Sequence, residues 1–180
     1  MLELSGRERR PALFMSKELT TVRAAKADDY KDIAEVLACP GVVRDTKQLP
    51  YVSLDKRRKY VEEDLGEGVY YLVSEVDGKV VDHLGLHRKK DRLAHVAGLG
   101  MAVHDDYQDQ GIGTALMAAA MDMADNWLNL KRVELDVYVD NKRAIHLYEK
   151  FGFIIEDTLK AQAFRDGEYV DSHPMGRVRD

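Results

Sequence analysis

A strand, a glycine-bearing loop, a helix and a second strand follow one another in the middle of the chain, and this order limits the fold more than any other feature. The segment His95–Val103 predicts a long strand that leads into a loop containing Gly111 and Gly113. Apolar residues recur at helical spacing over Ile112–Trp127, and Arg132–Val139 alternates as a strand does. A helix that connects two strands of one sheet makes those strands parallel. The pattern therefore predicts an α/β fold.

The remaining segments predict that most other strands are antiparallel. Two strands, Val69–Val76 and Lys79–His87, flank Asp77-Gly78, which is a strong hairpin signal. The other predicted elements are a strand at Leu19–Arg23, helices starting at Asp28 and spanning Leu54–Leu65 and Lys142–Phe151, and a final strand pair at Phe153–Phe164 and Glu168–Met175. We therefore expect a mixed, largely antiparallel central sheet flanked by about four helices.

Length and charge exclude several classes of protein. The 180 residues suit one domain, which we expect over residues 17–180, with residues 1–16 as a leader outside the fold. The net charge of −5 gives no general attraction to nucleic acid or to an anionic membrane. No stretch approaches the ~18 apolar residues of a membrane span. The single cysteine, Cys39, excludes an intrachain disulfide framework and fits a reducing, cytoplasmic location.

Metal and thiol chemistry are both disfavoured by the sequence. Two histidines, His83 and His87, share a predicted strand face, but four residues of strand separate them by about 13 Å, too far for one ion. Cys39 precedes Pro40 in a predicted loop, and we interpret it as an inert thiol rather than a nucleophile. We therefore expect neither a metal site nor a nucleophilic role for Cys39.

The loop before the central helix is the strongest candidate binding site. Glycine in a first helical turn costs up to about 1 kcal/mol relative to alanine, so two glycines indicate an unusual turn or a close approach to the backbone. A helix N-terminus offers unpaired N–H groups that suit a phosphate. A tight turn with no ligand is the structural alternative. No P-loop motif is present, and Gly98-Leu99-Gly100 lies inside a strand with Val103 at the third glycine position of a dinucleotide motif.

Two motifs together resemble the GCN5-related N-acetyltransferase (GNAT) family. The first follows a strand, the second lies on the next helix, and their residues are Gln108-x-x-Gly111-x-Gly113 and Asn141-x-x-Ala144-x-x-x-Tyr148-x-x-x-Gly152-Phe153. The resemblance covers about Thr20–Val178. Three further stretches are similar to a bacterial subgroup that includes amino-acid N-acetyltransferases, namely Asp125–Leu128, Val139–Asn141 and Asp166–Asp171.

The resemblance implies an acyl-CoA N-acyltransferase fold in which the parallel strand pair splays apart and acetyl-CoA lies in the gap. It assigns the pantetheine arm to the backbone of Met101, Ala102 and Val103, with Asn141 and Ala144 on the other side. It assigns the pyrophosphate to the main chain of Gln108, Asp109, Gln110, Gly111, Ile112, Gly113 and Thr114. By itself, Asn141 is also a plausible N-cap for the helix that it precedes.

The family motif makes Tyr148 the proton donor to the departing CoA thiolate. A phenol with a pKa near 10 retains its proton at neutral pH. By spacing alone Tyr148 is a core residue, because it shares the apolar face of its helix with Ala144, Leu147 and Phe151. Direct attack of an amine on the thioester forms an oxyanion that a strand N–H near Met101–Val103 stabilises.

The general base and the acceptor remain open at the level of sequence. Many family members carry an acidic residue in the middle of the strand where this chain has Ala97 and Gly98, so the candidate proton acceptors are Asp82, His83, Asp136 and Tyr138. We expect transfer to a primary amine of a small molecule such as an amino acid. A protein N-terminus or lysine, or acetyl-CoA sensing without turnover, are the alternatives.

The resemblance also indicates where acceptor choice resides and how the chain assembles. Acceptor choice would lie in the first two helices and the final hairpin, Asp28–Leu65 and Phe164–Met175. Relatives often pair their last strands between subunits, which suggests a homodimer.

Overall fold

The computed structural model describes residues 20–180, in which an open eight-stranded sheet carries helices on its faces. The leader predicted over residues 1–16 and the first predicted strand residue, Leu19, lie outside the described residues. The elements are β1 (Thr21–Ala24), α1 (Tyr30–Ala38), α2 (Pro40–Asp45), α3 (Leu54–Asp64), β2 (Val69–Val76), β3 (Lys79–Arg88), β4 (Val96–Val103), α4 (Ile112–Asp122), β5 (Arg132–Tyr138), α5 (Lys142–Lys150), β6 (Ile154–Ile155), β7 (Leu159–Arg165) and β8 (Glu168–Val178).

The sheet has the mixed topology that the sequence predicts. The strand order is β1-β2-β3-β4-β5-β8-β6, with β7 paired to β8. Strands β4 and β5 are parallel and every other pair is antiparallel, so α4 is the predicted crossover helix. The α/β fold class is confirmed.

The parallel pair separates along its length. Pairing between β4 and β5 is confined to Val96–Gly98 against Arg132–Glu134. Beyond Gly98, β4 keeps its pairing with β3 but has no partner on the β5 side, while β5 continues to pair with β8. This splay opens a gap in the middle of the sheet.

Two apolar clusters hold the helices against the sheet. Helix α1 buries Ile33, Val36 and Leu37 in a cluster that includes residues of α2 and α3. Helix α4 buries Leu116 and Ala120 in a separate, larger cluster with β4 and β5. In both helices these residues recur every three or four positions, which places them on one face. The gap in the sheet is therefore flanked by packed, well-supported elements.

Helix α2 was not predicted from the sequence, which was interpreted as a loop at this point. Six residues are too few to show a clear period, and Pro40 stands at the first helical position, where its missing N–H costs nothing. Residues 20–180 therefore contain five α-helices where about four were expected.

The prediction that Trp127 lies on the buried face of the central helix is wrong. The α-helix ends at Asp122 and continues as one π-helical turn, Met123–Trp127, in which the Leu128 N–H donates to the Met123 carbonyl at 3.0 Å. A five-residue hydrogen bond rotates later residues away from the 3.6-residue face. Trp127 is accordingly 78% exposed.

The chain after α5 also differs from the prediction. The expected strand Phe153–Phe164 is two strands, β6 and β7, and Ala161 has a φ of 51° at an irregularity in the β7–β8 pairing. Gly152 closes α5 as a left-handed cap, with a φ of 84°. Within residues 20–180, no helix combines the length and apolar content needed to cross a bilayer.

Candidate active site

A cleft of about 610 Å³ occupies the gap between β4 and β5. Of the thirteen site residues predicted from the sequence, all but Gln110 and Ile112 line it: Met101, Ala102, Val103, Gln108, Asp109, Gly111, Gly113, Thr114, Asn141, Ala144 and Tyr148. Ile112 is buried against Val76 and Val81, and the Gln110 side chain donates to the Asp106 carbonyl. Those two residues can contribute only their backbone to this cleft.

One end of the cleft is formed by the N-terminus of α4. Gly111 is the N-cap residue, with a φ of 84° and no side chain to cap the helix. The backbone N–H groups of Ile112, Gly113 and Thr114 make no hydrogen bond to any residue that the structure describes. An uncapped helix N-terminus with free N–H groups is suited to bind a phosphate. We call this region, Gln108–Thr114, the donor end.

The donor end also has a cationic side chain that the sequence analysis missed. Arg143, on α5, lines the cleft and donates to the Gln108 side-chain oxygen. Its guanidinium lies 3.9 Å from the carboxylates of Asp45 and Asp109. The Gln108 amide in turn donates to the Val103 carbonyl at 3.0 Å. The only sequence signal for Arg143 was its place within the motif that starts at Asn141.

The exposed edge of β4 forms the wall of the cleft next to the donor end. Met101 and Ala102 pair with Leu84 and His83 of β3 on one side and have no partner strand on the other. An unpaired strand edge can hydrogen-bond to an extended ligand in the manner of an added strand.

Tyr148 packs in the core and also faces the cleft, so both interpretations of its sequence position apply. Its ring packs against Phe153, with the ring centroids 6.0 Å apart, and it also lines the cleft. Its hydroxyl makes no hydrogen bond to any residue in the described part of the chain. Burial raises the pKa of Tyr148 to about 12, so the phenol is protonated at neutral pH.

Asn141 is the N-cap of α5, as one interpretation of the sequence suggested. Its side-chain oxygen accepts from the Ala144 N–H at 3.1 Å. Because Asn141 and Ala144 both line the cleft, the cap also fixes this wall of the site.

Two of the four candidate proton acceptors are already engaged. The Asp136 carboxylate accepts from the Lys47 ammonium at 3.0 Å, and the Tyr138 hydroxyl donates to the Thr46 carbonyl at 3.2 Å. Both residues line the cleft. Because each of these groups is already engaged with a partner, neither is well suited to accept a proton.

The other two candidates are neighbours on β3 with different surroundings. Asp82 accepts from the Ser74 N–H at 2.6 Å and does not line the cleft, and burial raises its pKa to about 6. His83 does line the cleft, and its Nδ1 is 2.8 Å from the Tyr71 hydroxyl. Its Nε2 is buried without a hydrogen-bond partner in the described residues.

His83 is neutral at physiological pH. Burial first, and the positive charge of Arg57 second, lower the pKa of His83 to about 4. A neutral imidazole can accept a proton, so of the four candidates His83 is the best placed.

Cys39 is remote from this chemistry. It lies between α1 and α2, is buried, and does not line the cleft; its thiol donates to the Glu35 carbonyl at 3.5 Å. Burial raises the pKa of Cys39, which disfavours the reactive thiolate. Among the described residues, no group of three or more His, Cys, Asp or Glu side chains is arranged to hold a metal ion.

The end of the cleft away from α4 is built mainly by the first helices, and we call it the acceptor end. Its lining residues from that part of the chain are Leu37, Val42, Thr46, Lys47, Gln48 and Tyr60, whereas Gly41 lies beside Asp105 and Gln108 near the donor end. Strands β2 and β3 add Tyr71 and His83, and the final hairpin adds only Ser172. The sequence indicated the region Asp28–Leu65 as a whole, but of these lining residues only His83 was an individual candidate.

Comparison with known proteins identifies the class of enzyme that this fold and cleft represent. The model of the acetyltransferase (GNAT) family matches residues 35–153. The L-amino acid N-acetyltransferase AaaT of Escherichia coli K12 is 40% identical over 159 residues, which are 88% of this chain and 97% of that protein. An N-alpha-acetyltransferase of Sulfurisphaera tokodaii is 36% identical, over 86% of this chain and 92% of that protein.

A solved structure gives the same result for the fold. The spermidine N-acetyltransferase of Vibrio cholerae, determined with CoA and spermine, superposes with a TM-score of 0.78 at 25% identity, covering 88% of this chain and 95% of that one. The chain therefore belongs to the GNAT family. It is an acetyltransferase that uses acetyl-CoA as the acetyl donor.

Proposed function

We propose that the protein transfers the acetyl group of acetyl-CoA to the amino group of a free amino acid or a closely related small amine. The observation that carries the proposal is that the uncapped N-terminus of α4 and the protonated Tyr148 open into one cleft between the splayed strands. The 40% identity with an L-amino acid N-acetyltransferase over nearly the full length of both chains supports the acceptor class.

Donor binding is assigned to the backbone of one continuous region. The N–H groups of the Gln108–Thr114 loop receive the pyrophosphate, where the helix dipole favours negative charge. The open edge of Met101–Val103 forms hydrogen bonds to the pantetheine arm, as it would to an added strand. Asn141 and Ala144 flank the arm from α5, and Arg143 adds positive charge beside the pyrophosphate.

The chemical step is direct attack of the neutral amine on the thioester carbonyl. A β4 N–H near Ala102 stabilises the oxyanion that forms. Collapse of the oxyanion breaks the C–S bond, and the Tyr148 hydroxyl donates a hydrogen bond and then its proton to the thiolate. Because a free thiol is more acidic than a phenol of pKa about 12, this transfer depends on burial raising the basicity of the thiolate.

The amine must also lose a proton, and His83 is the proposed acceptor, directly or through one water. His83 lies on β3, directly opposite Ala102 of β4, so its neutral imidazole is one strand away from the edge that holds the carbonyl. In each turnover His83 gains one proton and Tyr148 loses one. Proton exchange with solvent returns both residues to their resting forms, so the protons balance.

The test is release of CoA thiol from acetyl-CoA with a panel of free amino acids, polyamines, aminoglycosides and short peptides. We expect release that depends on free amino acids. If no amine supports release while acetyl-CoA still binds, the proposal fails and the sensor alternative replaces it.

Acetylation of a protein N-terminus is a second candidate, favoured by the 36% identity with an N-alpha-acetyltransferase. The peptide arm of the same panel decides between the two. A kcat/KM for peptides well above that for every free amino acid would establish the second candidate.

A homodimer and a cytoplasmic location complete the proposal. The exposed aromatic pair on the final hairpin, Phe164 and Tyr169, supports pairing of last strands between subunits. The single cysteine supports a reducing compartment. Sedimentation equilibrium and fractionation of the source cell test the two statements.

A further inference from the structure

A buried arginine without a carboxylate partner lies behind the acceptor end. Arg57, on α3, is 6% exposed. Its guanidinium donates to the Gln48 side-chain oxygen and, at 3.5 Å, to the Leu37 carbonyl. No Asp or Glu of the described residues lies within ion-pair distance of it.

Burying the Arg57 guanidinium in this way destabilises the folded protein unless another group pairs with its positive charge. A buried cation loses its hydration, and hydrogen bonds to two neutral oxygens replace only part of it. Burial accordingly lowers the pKa of Arg57, although a guanidinium stays protonated at neutral pH. The neighbouring Arg58 is the opposite case, because it is exposed and forms an ordinary ion pair with Glu62 at 2.8 Å.

The charge of Arg57 acts on the cleft. Both residues that accept its hydrogen bonds, Leu37 and Gln48, line the cleft, and its field helps to lower the pKa of His83. The Gln48 side-chain oxygen is held by the guanidinium, while its amide N–H₂ group donates to no described residue. Gln48 therefore presents a free N–H donor at the acceptor end, and the Arg57 cation lies directly behind it without lining the cleft.

The carboxylates that line the cleft do not neutralise the positive charge of Arg57 behind the acceptor end. Asp136 is paired with Lys47, and Asp45 and Asp109 lie beside Arg143 at the donor end. A polyamine would need free carboxylates around its extra ammonium groups. The charge pattern instead suits an acceptor that brings a negative charge.

We propose that Gln48, held in place by Arg57 and backed by its positive charge, binds the carboxylate of the acceptor, so that the enzyme selects amines that also carry a carboxylate over amines that do not. The guanidinium supplies the compensating charge, and the amide of Gln48 supplies a hydrogen-bond donor at the surface of the cleft. This inference rests on the proposed function and makes its acceptor class specific.

The experiment compares leucine with leucinamide, isopentylamine and spermidine as acceptors, in the wild type and in Arg57→Met and Gln48→Glu variants. Methionine has a similar length without charge, and a glutamate at 48 would pair with the guanidinium in place of the substrate. We expect the wild type to prefer leucine at least 100-fold in kcat/KM. Each variant should lower kcat/KM for leucine at least 30-fold and change it less than threefold for isopentylamine.

A binding measurement makes the test independent of turnover. The compound 4-methylpentanoate carries the carboxylate but no amine, and it should compete with leucine in the wild type. Its inhibition constant should rise at least tenfold in both variants, whereas the Kd of acetyl-CoA should stay within twofold. The matched control is Arg58→Met, which removes the adjacent exposed cation and should change none of these values.

The outcomes separate this inference from the proposed function. Acetylation of all four amines with similar kcat/KM, or a preference for spermidine, would overturn the carboxylate subsite while leaving the acetyltransferase function intact. Equal losses for leucine and isopentylamine in both variants would also overturn it, because they would indicate a structural role. If Arg57→Met fails to fold, Gln48→Glu carries the test, since its new ion pair preserves the buried guanidinium.

Discussion

The two ends of the cleft are built in opposite ways. The donor end consists mainly of backbone groups from one continuous stretch, the loop and the first turn of α4, with the Arg143 side chain beside them. The acceptor end consists of side chains from separate elements, with Gln48 before α3, Tyr71 on β2 and His83 on β3, and Arg57 of α3 lies behind it. The donor end is suited to a ligand that stays the same, whereas the acceptor end is suited to ligands that differ in structure.

This difference has a physical basis. Backbone N–H groups are the same whatever the side chain, so binding through them constrains only a few positions, such as Gly111, where a positive φ favours glycine. Side-chain contacts depend on every residue that makes them. An acceptor site can therefore change its specificity by substitution while the donor site and the fold stay as they are.

We expect the largest effect from Tyr148→Phe, which alters the chemical step that takes place between the two ends of the cleft. Loss of the hydroxyl should lower kcat about 10²-fold, because general acid catalysis typically contributes at least that factor. The Kd of acetyl-CoA, measured by calorimetry, should change less than twofold, since the ring and its packing on Phe153 are retained. Unchanged turnover would remove Tyr148 from the mechanism.

A substitution at the donor end should affect binding instead. Gly111→Asp places a negative charge and a side chain at a position with φ of 84°, and should weaken acetyl-CoA binding at least tenfold, ~1.4 kcal/mol. Gly167→Asp is the matched control, because Gly167 has the same φ and equally open surroundings on the final hairpin. Equal affinities in the two variants would refute the pyrophosphate assignment.

A substitution at the acceptor end should leave donor binding intact. His83→Gln should lower kcat/KM for the amine about tenfold, a modest loss because a base of low pKa accepts protons weakly. The imidazole is neutral above its pKa of about 4, so activity that needs it should fall only as the pH drops through about 4 rather than 6.5. A pH profile, with an NMR titration of His83, checks both statements. An NMR titration midpoint near 6.5 would contradict the buried state.

The smallest expected effect tests whether Asn141 serves the fold or the donor. Asn141→Ala removes the N-cap of α5 and should lower the free energy of unfolding by about 1 kcal/mol. Thermal unfolding with and without acetyl-CoA separates the roles. A loss of stability in both conditions by the same amount assigns Asn141 to the cap alone, whereas a larger loss with the ligand adds a role in binding.

The donor end was predictable because its signals are local. The change from strand period to helical period around Gly111 and Gly113, together with the motif on α5, indicated both the site and the family. The two predicted residues that do not line the cleft, Gln110 and Ile112, lie within the same loop and turn. Their side chains point elsewhere because successive residues of a turn face different directions.

Other features depended on contacts that no local pattern contains. The sequence does not reveal the π-helical turn that exposes Trp127 or the irregular pairing at Ala161, since each follows from a small change in hydrogen-bond register. The run of basic residues on α3 likewise gives no local sign that its members differ. Arg58 is exposed and paired with Glu62, whereas the adjacent Arg57 is buried.

The sequence by itself determined the α/β class, the parallel crossover and the position of the donor loop, because hydrophobic period and glycine placement act over a few neighbouring residues. Only the tertiary structure decided which of two adjacent residues on β3, Asp82 or His83, lines the cleft, and which of two adjacent arginines on α3 is buried. Those outcomes depend on burial by elements distant in the chain. Burial in turn sets the cost of each charge, and thereby the chemistry of the acceptor end.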